Sequence, residues 1–193
     1  MKPIPNFAHP IYPVLQQRWS PRAFSEQMLS KADVSILLEA ARWAASCMNE
    51  QPWRFVWAFN DDSPLYNKLF DCLLKGNQEW VSTAPVLMLT LVEPKFHSNG
   101  KPNPWARHDL GLAIGNMTTQ ASSMGIYIHN MGGFSAQKVQ AHFPQLQDLD
   151  PVTMIALGYP GDIASLSEYN QKREQEVQTR KPQTEIDLSS KLS

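Results

Sequence analysis

Two short stretches of the chain carry residue types suited to ligand chemistry. The first reads Arg18-Trp19-Ser20-Pro21-Arg22. It offers two guanidinium groups and a hydroxyl, and the planar fork of Arg grips two oxygens of a phosphate at once. The second reads Ala45-Ser46-Cys47-Met48-Asn49-Glu50-Gln51-Pro52-Trp53. Asn49 and Gln51 each hold a donor and an acceptor on one amide, which matches the alternating edge of a flat heterocycle. Together the two stretches fit a phosphorylated ring. Alone, each has a plainer reading: exposed charges flanking a turn, or amides capping a loop.

Three weaker features could join them. Gly132-Gly133 allows a backbone to approach a ligand with no side chain in the way, although an ordinary turn uses the same pair. Asn77, in the loop-like stretch Gly76-Asn77-Gln78-Glu79-Trp80, could add a polar contact or simply be solvated. Arg180, in the tail, could add a third cation. His97, His108, His129 and His142 have no metal-ligand spacing, and Cys47 has no His-Asp partner placed for it, so it reads as a small packed residue. No Walker loop, nucleophile elbow or G-x-G-x-x-G occurs in the sequence.

The elements that must position these residues follow from periodicity. The first 17 residues hold four prolines and no helical period, and read as an extended arm. Val34, Leu37, Leu38, Ala41 and Ala45 then recur on one helical face, with Ser30 as the cap and Asp33 in the first turn. Pro52 forbids continuation, which leaves residues 46–51 as a loop directly after that helix. Residues 54–59 read as a strand and 64–75 as a helix. Residues 85–92 are almost wholly apolar and read as a central strand covered on both faces. Residues 96–105 form a loop. Residues 109–124 form the clearest helix, with Leu110, Ala113, Ile114, Met117, Ala121 and Met124 in one stripe and Gly125 as its C-terminal cap. Its small residues, Gly111, Ala113, Gly115 and Ala121, suit close helix packing or a dimer interface. A strand over 126–130, a helix over 135–143 and a strand over 151–157 complete the pattern. The tail from 162 is polar, with no core pattern of its own.

The 193 residues suffice for one domain, and 42% hydrophobic with 18% charged residues indicates a folded chain. A net charge of -1 gives no reason to expect nucleic acid or an anionic membrane. No apolar run approaches the ~20 residues needed to span a bilayer. The N-terminus lacks a signal-peptide block, and Cys47 and Cys72 make no disulfide framework, so a cytoplasmic protein is expected.

Taken in order, these segments resemble the nitroreductase family of FMN-dependent oxidoreductases. The resemblance rests on Arg18-Trp19-Ser20-Pro21-Arg22-Ala23-Phe24, Glu39-Ala40-Ala41-Arg42-Trp43-Ala44, Asn49-x-Gln51-Pro52-Trp53-Arg54-Phe55 and Ala84-Pro85-Val86-Leu87. It continues through Asp109-Leu110-Gly111, Met124-Gly125, Gly132-Gly133-Phe134, Ala156-Leu157-Gly158-Tyr159-Pro160 and Arg180-Lys181-Pro182. It implies an α+β fold with a central, mainly antiparallel sheet flanked by helices. It also implies a single domain over 1–193 and an intertwined homodimer whose arm is 1–17 and whose tail, 162–193, wraps the partner.

On this resemblance FMN is held by Arg18, Trp19, Ser20, Arg22, Ser46, Cys47, Asn49, Gln51, Asn77, Gly132, Gly133 and Arg180. Arg18, Ser20 and Arg180 take the phosphate, and Arg22 faces the N1–C2=O edge. Flavin N5 carries hydride from NAD(P)H to a flat acceptor such as a nitroaromatic or quinone, and no side chain is catalytic. A flavin carrier or sensor with a covered ring would use the same contacts. The chain departs from the family pattern with Trp19 in place of a second basic residue, Ala45 and Cys47 in place of Pro and Ser, and Gln178 in place of another basic residue.

Overall fold

The structure is a computed structural model that describes residues 2–61 and 63–192; Met1, Asp62 and Ser193, which the range 1–193 includes, lie outside the described residues. The elements run α1 (Pro13–Gln17), α2 (Lys31–Arg42), β1 (Trp53–Phe59), α3 (Pro64–Cys72), α4 (Lys75–Val81), β2 (Val86–Val92), α5 (Ala106–Ser123), β3 (Tyr127–Met131), α6 (Ala136–His142), β4 (Asp150–Gly158), α7 (Glu168–Gln175) and α8 (Gln183–Ile186).

The four strands form one sheet in the order β1-β2-β4-β3, and every neighbouring pair is antiparallel. β2 is central and all seven of its residues are buried, as its apolar run requires. Its side chains alternate between two cores. Leu87, Leu89 and Leu91 pack with Met154 and Ala156 against α3, α4 and α6. Val86, Met88 and Val92 pack with Ile155 and Leu157 against α2 and α5. The molecule is therefore a helix–sheet–helix sandwich of α+β class. The β2–β4 register slips between Thr90 and Leu91, where Pro151 has no N–H to offer the ladder.

Helix ends follow local chemistry where local chemistry is strong. Ser30 Oγ accepts from Asp33 N at 3.1 Å while Asp33 Oδ2 accepts from Ser30 N at 2.8 Å, a reciprocal cap on α2. α5 buries Leu110, Ala113, Met117 and Ala121, as its stripe predicts, and Gly125 follows with φ +71°.

Four expectations need correction. The arm is not wholly extended, because Pro13 opens the short helix α1, which buries none of its residues. α2 ends at Arg42, so Ala45 lies beyond the stripe. The helix expected over 64–75 breaks after Cys72: Leu73 bridges Phe134 and Leu74 N donates to Gly133 O at 3.0 Å. Asn77 is consequently helical, inside α4, and not in a loop.

Candidate functional site

β3 is an edge strand, and residues 18–22 lie beside it. Trp19 packs on Tyr127 with ring centroids 4.1 Å apart. His129 Nδ1 donates to Pro21 O at 2.9 Å, and Trp80 covers the imidazole at 4.5 Å between centroids. Only an N–H can donate to a carbonyl, so the proton sits on Nδ1. Burial, chiefly, with Arg22 and Arg173 adding to it, pushes the His129 pKa down to about 4, and its backbone hydrogen bonds partly oppose this. The imidazole is thus neutral near pH 7.

The end of this segment is tied to the sheet. Gly161 N donates to Ala23 O at 2.9 Å and Ser25 N to Tyr159 O at 2.9 Å. A Cβ on Gly161 would stand 2.3 Å from Phe24 O, so only glycine permits this backbone contact.

The cations here are unequal. Arg18 Nη1 donates to Ser20 Oγ at 3.3 Å, and Arg180 Nη1 donates only to Thr179 O at 2.7 Å. Among the described residues neither guanidinium has a carboxylate. Burial first, then the proximity of Arg180, holds the Arg18 pKa below the usual value. Two adjacent cations that lack a carboxylate partner among the described residues have the charge and donors to receive an anion. Arg22, by contrast, pairs with the buried Glu174 at 3.3 Å. Arg18, Trp19, Tyr127, Gly161, Glu174 and Gln178 line a cavity of about 480 Å³, together with residues 2–5 of the arm. Trp19 Nε1 is buried and has no hydrogen-bond partner among the described residues.

Beyond the end of β3, Asn77 Nδ2 donates to Gly133 O at 3.0 Å. A Cβ on Gly133 would lie 2.8 Å from that same Nδ2, whereas one on Gly132 would meet open space. Gly133 therefore admits the Asn77 amide, and Gly132 leaves its surface clear.

The second stretch is elsewhere. Cys47 N donates to Asp109 Oδ2 at 2.9 Å, which fixes residues 46–51 at the N-terminal end of α5. Ser46 Oγ accepts from Gln51 N at 3.0 Å, and Gln51 Nε2 donates to Asn49 O at 3.1 Å. Met48, Asn49 and Gln51 have φ of 52°, 57° and 51°, left-handed values that non-glycine residues adopt at a cost, with the right-handed Glu50 between them. Residues 18–22 lie near the other end of α5, because Trp19 touches Tyr127 just after that helix. An 18-residue helix spans about 27 Å. One chain thus gathers Arg18, Trp19, Ser20, Arg22 and Arg180, with Asn77, Gly132 and Gly133 beyond the other end of the same edge strand. It does not gather Ser46, Cys47, Asn49 and Gln51 with them.

Sequence reasoning missed His129, Tyr127 and Glu174 as supports of residues 18–22. Glu174 gives no local signal, since its partner is 152 positions away. Asp109 was legible only as a helix-start residue, not as the acceptor that anchors Cys47.

The nitroreductase family profile matches residues 15–70 and 64–159. The chain belongs to that family. A solved oxidoreductase containing FMN is 29% identical, with a TM-score of 0.90 over 97% of this chain and 96% of that one. A structure from Desulfovibrio desulfuricans in complex with FMN is 25% identical, with a TM-score of 0.72 over 93% and 98%. The major NAD(P)H-flavin oxidoreductase of Aliivibrio fischeri is 24% identical across 78% of this chain and 88% of its own length.

Proposed function

We propose that this chain is an FMN-dependent oxidoreductase that acts as a homodimer and uses NAD(P)H to reduce a flat acceptor such as a nitroaromatic or quinone. The observation that carries the reading is the uncompensated pair Arg18 and Arg180 beside Ser20. A mononucleotide phosphate would supply the missing anion. The orphaned Trp19 Nε1, a donor wanting an acceptor, fits the same group.

When bound, FMN supplies an N5 that takes hydride from one substrate and gives it to the next, in a ping-pong cycle. The chain's own contribution is binding and orientation. Arg18, Ser20 and Arg180 hold the phosphate. Arg22 offers a cation to the ring edge that gains negative charge on reduction. Asn77, Gly132 and Gly133 offer amide and backbone groups to the rest of the ring.

Ser46, Cys47, Asn49 and Gln51 would come from the second copy. An isologous dimer that crosses two α5 helices antiparallel would bring residues 46–51 of one copy to residues 18–22 of the other. The outer face of α5 suits this, because Gly111 and Gly115 have open space beside them and Leu112 is exposed. Val177, Ile186, Leu188 and Leu192 are also exposed, each by more than half its surface. Such apolar residues on a polar tail suit a segment that wraps the partner.

Anaerobic titration of the purified protein with FMN, then NADH or NADPH, tests the reading. Uptake of flavin followed by bleaching is expected. Refusal of FMN would overturn it.

A further inference from the structure

Helix α7 is polar almost throughout, yet Asn170 and Glu174 on it are only 4% and 5% exposed. Burying a carboxylate is costly unless it is paired and hydrogen-bonded. Glu174 is both: its Oε1 accepts from Arg22 Nη1 at 3.3 Å and from Arg22 N at 3.2 Å. One oxygen thus holds residue 22 by its side chain and its main chain, and sets a negative charge against its guanidinium. Among the described residues Arg18 and Arg180 have no such partner. Arg173, whose guanidinium lies 5.5 Å from the Tyr169 ring centroid, is the other charge facing Arg22.

We propose that Glu174 is a positioning residue that fixes the Arg22 guanidinium, screens its charge, and so sets the reduction potential of the bound flavin. The proposal rests on the flavin reading above. Reduced flavin gathers negative charge, and a nearby cation favours it. A carboxylate paired with that cation takes part of the effect back. The wild-type potential is therefore lower than Arg22 alone would give.

The test is the midpoint potential of the FMN-loaded protein, measured by anaerobic titration against a reference dye. Glu174→Gln keeps an acceptor oxygen and removes the charge. It should favour reduced over oxidised FMN by about tenfold, a positive shift of about 30 mV for a two-electron couple. Glu174→Asp keeps the charge and should stay near the wild-type potential. If Glu174→Gln does not fold, Glu174→Asn, which also keeps an acceptor oxygen and removes the charge, should shift the potential in the same positive direction. An unchanged or lowered potential in the uncharged variants overturns the inference and leaves the flavin reading standing. So does an equal shift in Glu174→Asp, which would make the effect steric. Wild-type protein that takes up no FMN overturns both.

Discussion

Arg18, Arg22 and His129 lie within one short segment and its support, but their substitution should have different consequences. Arg18 has no carboxylate partner among the described residues to offset its cost of burial. Arg18→Ala should therefore leave the apoprotein folded and weaken FMN. A hydrogen bond to a charged group is worth roughly 1.5–3 kcal/mol, which corresponds to about tenfold to a hundredfold in Kd by fluorescence titration. Arg22→Ala should instead make bound flavin harder to reduce, read as a lower midpoint potential. It also strands the buried Glu174, so the apoprotein should lose stability.

His129 makes a pH prediction with a definite sign. Its folded pKa of about 4 lies below the unfolded value of 6.5, so the unfolded chain binds more protons between those limits. Stability is complete above pH ~6.5 and falls as the pH drops towards ~4, by up to about 3 kcal/mol. Melting temperature against pH should show this slope in the wild type, and His129→Gln should flatten it. An unaltered slope would mean that the imidazole is not held neutral against Pro21.

At the scale of elements, the strained loop after α2 and the helix that anchors it are the informative pair. Met48 has φ +52° and is 73% exposed, so its side chain contributes little while its backbone bears strain. Met48→Gly should relieve that strain at some cost in unfolded-chain entropy, for a net gain of about 0.5–1 kcal/mol in urea melts. Gly161→Ala should do the reverse, because Phe24 backbone atoms stand where its Cβ must go.

The same elements show what the sequence can and cannot disclose. The unbroken apolar run of β2 and the stripe on α5 report their own burial, because each faces a core along its whole length. The break between α3 and α4 is invisible locally. Leu73 and Leu74 are good helix formers, and the chain turns there because Phe134 and Gly133 take up their backbone groups. The α7 residue that holds Arg22 is hidden for a related reason: a polar tail looks solvated until its distant partner is known. Arg18, Ser20 and Arg180 are legible as a candidate phosphate set because guanidinium and hydroxyl chemistry is in the residue types themselves, and the fold brings Arg18 beside Ser20 and near Arg180.

At the scale of the molecule, a single chain places residues 18–22 and residues 46–51 at opposite ends of α5. On the proposed function, a complete site then needs two copies. Mixed dimers give a prediction that no single-chain site shares. Arg18→Ala and Gln51→Ala chains should each bind FMN weakly as homodimers. Co-assembled, they should recover one tight site in two, because one of the two clefts then receives neither substitution. Recovery of no tight site in the mixed dimers would place both stretches in the same copy's site.

The most direct measurement is the visible absorption spectrum of the purified protein before and after added FMN, followed by anaerobic NADH or NADPH. The account predicts a yellow protein that retains its flavin through gel filtration, bleaches with the reductant, and recovers colour when a quinone is added. A protein that stays colourless and passes FMN unbound through the column would contradict it.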